Sequence, residues 1–235
     1  GFWTRMLQAV FLGQHGWDEL NVEHQFGEVA DHRVAMMFLS GNMRNENLDA
    51  AAKLAQQALP GYGVISVYGG TDDDDGMTNR SAEKKVKDAI EHYKNKGQSV
   101  LILSARMAQR SFSVGAVTEL YLAYDEGDNG ATIQKISRAL TPDIEGKIGR
   151  IVSLSFDPNR DDKFDALLIE TALNYKRNRN IKSAKEAMRD VLRTVDIFRC
   201  TPDGSIKLDG DNYLEQAIER KSVSRVVGKV ADITK

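Results

Sequence analysis

The sequence predicts an α/β fold in which a parallel sheet is flanked by helices and is followed by a small α+β extension. Two observations lead to this prediction. From residue 34 onward, short apolar runs alternate with amphipathic helical segments through short connections, which is the pattern of repeated strand–helix–strand units. The apolar runs are continuous and do not alternate with polar residues, as expected for parallel strands that helices cover on both faces.

The composition limits the class of protein. The chain has 235 residues, of which 41% are hydrophobic and 28% charged, so we expect a globular protein with one sizeable core and an appendage. No apolar run is long enough to cross a bilayer and no signal-peptide pattern is present, so no membrane partner is expected. The lone Cys200 excludes an internal disulfide framework and favours a reducing, cytoplasmic location. A net charge of -2 argues against binding of nucleic acid by bulk charge alone.

We divide the chain into a lead-in over residues 1–33, a sheet domain over 34–158 and an extension over 159–235. The lead-in is predicted to begin with an amphipathic helix that ends before Gly13. Its apolar residues recur at helical spacing and are Phe2, Met6, Leu7, Val10 and Phe11. The histidines that follow have no carboxylate or cysteine at a spacing typical of metal sites, so we favour ordinary histidines over metal ligands.

The sheet domain is predicted to contain strands that are connected by helices. The strands are 34–39, 63–68, 99–103, 117–124 and 149–156, and the helices between the first three are 47–59 and 80–96. The first helix is ended by Pro60 and Gly61. The second starts at Ser81 and stops at Gly97. Short connections between these elements predict right-handed crossovers and a parallel sheet.

The extension is predicted to contain helices at 163–175, at 183–195 and from Asn212, with a hairpin about the turn 201–204. A basic stretch at 176–182 precedes the second of these helices. It is compatible with a nucleic-acid contact and equally with a solvated helix face.

Polar turns follow the apolar strands, and such turns at the carboxyl ends of parallel strands are where open α/β sheets hold ligands. Strand 34–39 runs into Ser40 and Gly41, strand 63–68 into Gly69, and strand 99–103 into Ser104. Hydroxyls and main-chain amides at such strand ends can donate hydrogen bonds to the phosphates of a nucleic acid without contacting the bases.

The stretch 98–141 resembles the second RecA-like lobe of superfamily 2 helicases and translocases. In that family a strand ending in Ser or Thr leads to an Arg-Gly-x-Asp pattern, motif V, and a later helix carries Gln-x-x-Gly-Arg-x-x-Arg, motif VI. Here Leu101-Ile102-Leu103-Ser104 precedes Arg110-Ser111-Phe112-Ser113, and Gln134 keeps its family spacing to Arg138. Four positions depart from the family pattern: Ser111, Ser113, Ser137 and Thr141.

The resemblance extends upstream to cover residues 34 to 156. The sequence Met-Phe-Leu-Ser at 37–40 is similar to motif IV, Tyr68-Gly69 to an aromatic–Gly pair, and Arg80 to an arginine that precedes an apolar helix. The fold it implies is a RecA-like, P-loop NTPase-type sheet. The function it implies is that of the second motor lobe of an ATP-dependent helicase or translocase, of a phage or restriction-system type, acting on DNA, with RNA left open.

The resemblance also implies roles for individual residues. Arg138 is expected to be the arginine finger, with Gln134 positioning nucleotide or water, and both would contact ATP. The residues expected to contact the nucleic-acid backbone are Ser40, Gly41, Gly69, Ser104, Arg110, Ser111 and Ser113.

The sequence contains no Gly-x-x-x-x-Gly-Lys-Ser/Thr phosphate loop and no acidic box after a strand. We therefore expect ATP and Mg²⁺ to be held mainly by a first RecA-like lobe upstream in a longer parent, and this chain alone to be inactive as an ATPase. The run Asp72 to Asp75 is interpreted as a solvated loop rather than a metal site. Two other function classes stay open: a non-catalytic nucleic-acid- or protein-binding module on a degenerate RecA-like fold, and a small-molecule enzyme on a doubly wound sheet.

Overall fold

The computed structural model describes most of the first 154 residues and scattered parts of the remainder. The described residues are 1–27, 29–40, 42–68, 79–105, 115–123, 149–154, 174, 176–178, 180, 186–187, 189–190, 196 and 198–207. The chain forms two compact units, residues 1–154 and 155–235. Each unit is described by itself.

The first unit is built on a five-stranded, wholly parallel sheet. Its strands are β1 (Val34–Phe38), β2 (Tyr62–Val67), β3 (Ser99–Ser104), β4 (Glu119–Leu122) and β5 (Arg150–Ser153). They are arranged in the order β2-β3-β1-β4-β5, with β1 at the centre. The predicted α/β class with a helix-flanked parallel sheet is therefore confirmed. The strands lie where they were predicted but differ at their ends, where hydrogen bonding to the neighbouring strand stops.

Helices cover both faces of this sheet. They are α1 (Phe2–Leu12), α2 (Val22–Phe26), α3 (Asn45–Ala58) and α4 (Asn79–Asn95). Helices α1 and α3 share one apolar cluster with alternate strand residues such as Met37 and Leu103, and α4 shares a second cluster with the intervening residues such as Met36 and Ile102. Because both faces are covered, β1, β3 and β4 bury almost every residue, which explains their continuous apolar runs.

The predicted N-terminal helix is confirmed and packs into the core. Helix α1 ends at Gly13, whose φ of 63° is left-handed and whose N–H bonds to the Ala9 carbonyl at 3.2 Å. Its side chains Trp3 and Gln8 each donate to a carbonyl of α3, both at 3.4 Å. The side chain of Asn21 caps α2 by accepting from the His24 N–H at 2.7 Å, and it donates to two carbonyls of α1. The lead-in is thus held to the sheet domain by both packing and hydrogen bonds.

The described part of the second unit contains the predicted hairpin. Strands β6 (Phe198–Thr201) and β7 (Gly204–Lys207) are antiparallel around Pro202 and Asp203. The Thr201 hydroxyl donates to the Gly204 carbonyl at 2.8 Å and closes the turn. Residues 176–178, predicted as a basic stretch between helices, are helical, in agreement with the high helix propensity of Lys and Arg. The predicted helix from Asn212 lies outside the described residues.

None of the helices in the described ranges is both long enough and apolar enough to span a membrane.

Candidate functional site

The carboxyl ends of the parallel strands meet at one edge of the sheet. Phe38 of β1 is in register with Ser104 of β3 on one side and with Leu122 of β4 on the other. Val67 of β2 is also in register with Ser104. The chain therefore leaves β1, β2 and β3 at the same level, and the turns that follow these strands begin side by side.

Ser104 ends β3 and is buried, with 1% of its surface exposed. Its carbonyl accepts a hydrogen bond from the Leu39 N–H at 2.9 Å, which links it to the chain just beyond β1. Its hydroxyl has no hydrogen-bond partner among the described residues. A buried hydroxyl without a hydrogen-bond partner destabilises a fold by about 1–3 kcal/mol relative to one that is paired.

The burial pattern shows which side of the sheet Ser104 faces. Val100 and Ile102 belong to the cluster beneath α4, whereas Leu101, Leu103 and Ala105 belong to the cluster beneath α1 and α3. Because side chains alternate along a strand, the Ser104 hydroxyl lies on the α4 side. The next residue, Ala105, faces the opposite cluster.

Ser40 lies in the turn that follows β1 and is half-buried. Its hydroxyl accepts from the Asn42 N–H at 3.3 Å and its carbonyl accepts from the Met43 N–H at 3.0 Å. These bonds shape the turn into α3. Ser40 is two residues beyond Phe38, so it extends from the same edge as Ser104.

Helix α4 begins at this edge as well. It connects β2 to the parallel β3, so it must run back from the carboxyl edge to the amino edge. Its C-terminal end confirms this, since the Gln98 N–H bonds to the Tyr93 carbonyl at 2.9 Å immediately before β3. The first turn of α4 carries no acidic side chain that would offset the positive end of the helix dipole. The α4 start and the Ser104 hydroxyl therefore lie on the same side of the sheet at the same edge.

The remaining predicted site residues lie outside the described residues. They are Gly41, Gly69, Arg110, Ser111, Ser113, Gln134 and Arg138. Their roles stay predictions. The two that the structure describes, Ser40 and Ser104, are brought to one edge by the register of β1 and β3.

A buried polar network at the opposite edge of the sheet was missed by the sequence reasoning. The guanidinium of Arg33, just before β1, donates to both carboxylate oxygens of Glu119 at 2.8 and 2.9 Å, and one of its nitrogens lies 3.5 Å from the Tyr121 hydroxyl. It also lies over the Phe11 ring and 3.5 Å from the Phe11 carbonyl. One signal was present: Glu119 is a carboxylate within a strand that is otherwise apolar.

Burial and the ion pair shift the pKa values in this network. Burial opposes the charge on Arg33, but hydrogen bonding and the charge of Glu119 outweigh it and raise the pKa of the guanidinium. Burial, then the nearby Glu119 carboxylate, raise the pKa of Tyr121 well above its ordinary value. The network is therefore a charged pair beside the neutral phenol of Tyr121, and it ties α1, β1 and β4 together at the amino edge.

No group of three or more His, Cys, Asp and Glu side chains within the described ranges is arranged to hold a metal ion. In comparisons with known proteins, no protein-family model matches the chain, and a search of curated proteins finds no match either.

Proposed function

We propose that this chain is the second, RecA-like motor lobe of an ATP-dependent helicase or translocase of superfamily 2, acting on DNA, in the cytoplasm. Three features support the proposal: the parallel sheet flanked by helices, the order of the motif-like segments, and the position of Ser40 and Ser104 at one edge. The phage or restriction-system type and the choice of DNA over RNA are part of the proposal.

The unpartnered hydroxyl of Ser104 is the observation that carries the proposal. A phosphate oxygen at the carboxyl edge would accept a hydrogen bond from this hydroxyl and would face the start of α4. Because Ser104 is 1% exposed, such a contact requires the surrounding turns to rearrange. A lobe that changes its grip on the nucleic-acid backbone during a motor cycle needs a contact of this kind, made in one state and lost in another.

The remaining roles rest on the sequence. Arg138 would reach the nucleotide from this lobe and neutralise charge that develops in the transition state, with Gln134 positioning the nucleotide or water. ATP and Mg²⁺, which supply the phosphoryl-transfer chemistry, would be held by the first lobe, because this chain has no phosphate loop. This chain would supply the arginine and the contacts to the nucleic-acid backbone.

The test uses the two-lobe parent and measures ATP turnover with and without single- and double-stranded DNA. We expect turnover that DNA stimulates and that Arg138→Ala lowers by about 10³-fold or more, as for other arginine fingers. Unchanged turnover in Arg138→Ala would remove that residue from the mechanism. Absence of turnover in the parent, with DNA binding that does not depend on nucleotide, would favour the non-catalytic binding module. The departures from the motif VI pattern at Ser137 and Thr141 also favour that alternative.

A second experiment addresses Ser104 itself. We expect Ser104→Ala to weaken DNA binding by the parent about 10- to 100-fold, the loss of one hydrogen bond to a charged group. Ser153→Ala is a suitable control, because Ser153 is exposed and ends β5, three strand spacings or about 14 Å from β3. Equal affinities for the two variants would show that Ser104 does not contact the backbone.

A further inference from the structure

A cleft of about 550 Å³ opens at the amino edge of the sheet, opposite to the edge of Ser40 and Ser104. The residues that matter to its chemistry are Phe11, Glu23, Asp31, Arg33, Tyr62 and Ser99. Its volume falls within the range of about 300–1,000 Å³ that is typical of ligand sites. Neither the motif-like segments nor the proposed motor function uses this cleft.

The positive charge at the floor of the cleft, that of Arg33, is already neutralised by Glu119. Arg33 is 5% exposed, and its guanidinium is engaged by Glu119 through two hydrogen bonds of 2.8 and 2.9 Å. Its backbone N–H donates to the Ser99 hydroxyl at 3.1 Å. An anionic ligand could recruit Arg33 only by breaking the buried pair, which would leave Glu119 without its counter-charge. The floor therefore does not favour an anion.

The rim carries negative charge. Glu23 and Asp31 are both exposed, and within the described part of the chain neither forms an ion pair. Among the described lining residues, Glu23 and Asp31 are not offset by a cation, because the charge of Arg33 is already paired with Glu119. Uncompensated carboxylates at the mouth of a concave site attract cations and raise their local concentration.

Tyr62 adds a hydrogen-bond donor beneath the charged rim. It is 6% exposed and lines the cleft. Burial first, then the Glu119 and Glu23 carboxylates, raise its pKa to about 12 against the opposing effect of Arg33, so its hydroxyl keeps its proton at neutral pH. Arg33 can only donate to this oxygen, so the phenolic proton is available to an acceptor on a ligand.

We propose that this cleft binds a basic peptide segment of a partner protein, with an arginine side chain paired to Glu23 and Asp31 and a peptide carbonyl accepting from Tyr62. A guanidinium suits the rim because its planar fork can donate to more than one carboxylate oxygen. A peptide suits the cleft better than a simple amine because it supplies both the cation and the carbonyl acceptor. The site does not depend on the proposed motor function and needs no nucleic acid.

The experiment titrates the 235-residue chain with the peptide acetyl-Gly-Arg-Gly-amide and follows backbone amide chemical shifts. The control peptide has citrulline in place of arginine, which keeps the shape and removes the charge. We expect the arginine peptide to shift the amides around Glu23, Asp31 and Tyr62, and the citrulline peptide to bind at least tenfold more weakly. Absence of binding, or affinities of the two peptides within twofold, would overturn the proposal.

Variants of the chain test the assignment of residues. The double variant Glu23→Gln, Asp31→Asn is expected to weaken binding of the arginine peptide at least tenfold, and Tyr62→Phe about threefold. The matched control Glu46→Gln, Asp88→Asn changes two exposed carboxylates on α3 and α4, outside the cleft lining, and should keep the affinity. Equal losses in the two double variants would show that net charge, rather than this cleft, attracts the peptide.

Discussion

The ring of Tyr93 on α4 lies directly against the backbone of Gly63 on β2. A Cβ built on Gly63 would overlap atoms of that ring, and the backbone of Gly63 is not in the left-handed region. The position therefore requires glycine for lack of space rather than for an unusual φ. This contact sets how closely the C-terminal end of α4 packs on the beginning of β2.

Gly63→Ala is expected to destabilise the first unit by about 1–3 kcal/mol, the usual effect of overpacking in a close-packed interior. Urea unfolding followed by circular dichroism measures this loss. In a double-mutant cycle with Tyr93→Ala, the alanine at position 63 should cost much less, because the ring that it meets has been removed. Strict additivity of the two changes would show that the Tyr93 ring is not the reason why alanine destabilises the unit at position 63.

A single change in the Arg33–Glu119 pair should be more destabilising than the replacement of both residues. Glu119→Gln leaves a buried guanidinium without its counter-charge, and we expect it to destabilise the unit by about 3–5 kcal/mol. Arg33→Met with Glu119→Leu removes both charges and should be less destabilising than Glu119→Gln alone. Chemical denaturation of the single and double variants measures their free energies of unfolding. A double variant that is less stable than Glu119→Gln would contradict the expectation.

Gln56 of α3 covers the outer edge of β2, which is an edge strand of the sheet. Its side-chain amide donates to the Tyr62 carbonyl at 2.7 Å and accepts from the Val64 N–H at 2.9 Å, so two outward backbone groups are paired. We expect Gln56→Ala to expose this edge, to cost about 1 kcal/mol and to promote association through β2. Light scattering against concentration tests this. The exposed neighbour Gln57→Ala is the control and should stay at the wild-type association state.

The lowered pKa of His32 predicts that the stability of the first unit depends on pH. Burial, assisted by Lys94 and opposed by a hydrogen bond with the Gln98 backbone, lowers its pKa below 6.5. The unfolded chain therefore takes up the proton at a higher pH than the folded chain does. The contribution of neutral His32 to stability is present above pH 6.5 and decreases as the pH falls from there through the lowered pKa. The stability of the wild type relative to His32→Gln, measured by urea unfolding, should be constant above pH 7 and fall on acidification. A constant difference at all pH values would refute it.

Ser104→Ala is expected to leave the first unit as stable as the wild type, or more stable by up to about 1 kcal/mol, because the hydroxyl has no partner among the described residues. Thermal and urea unfolding of the chain without nucleic acid measure this effect. Together with weaker DNA binding by the parent, it would identify a hydroxyl kept for function rather than for folding. A loss above 1 kcal/mol would show that the hydroxyl is hydrogen-bonded in the fold.

The sequence by itself determined the α/β class, the positions along the chain of the strands in the first unit, the helix capped by Gly13, and the hairpin about Pro202 and Asp203. These features are local: apolar runs, helical spacing and turn residues act over a few positions along the chain. The positions of Ser40 and Ser104 at strand ends were also readable, since a parallel sheet brings all carboxyl ends to one edge.

Only the tertiary structure decided which strands are neighbours and which side chains meet across them. The order β2-β3-β1-β4-β5 pairs Phe38 with Ser104, and it carries Glu119 next to the strand that Arg33 precedes, across 86 positions of sequence. No local pattern encodes such a pairing, because it results from the burial of two helix layers on opposite faces of one sheet. The same packing buries the Ser104 hydroxyl, requires glycine opposite Tyr93, and forms the acidic cleft at the amino edge.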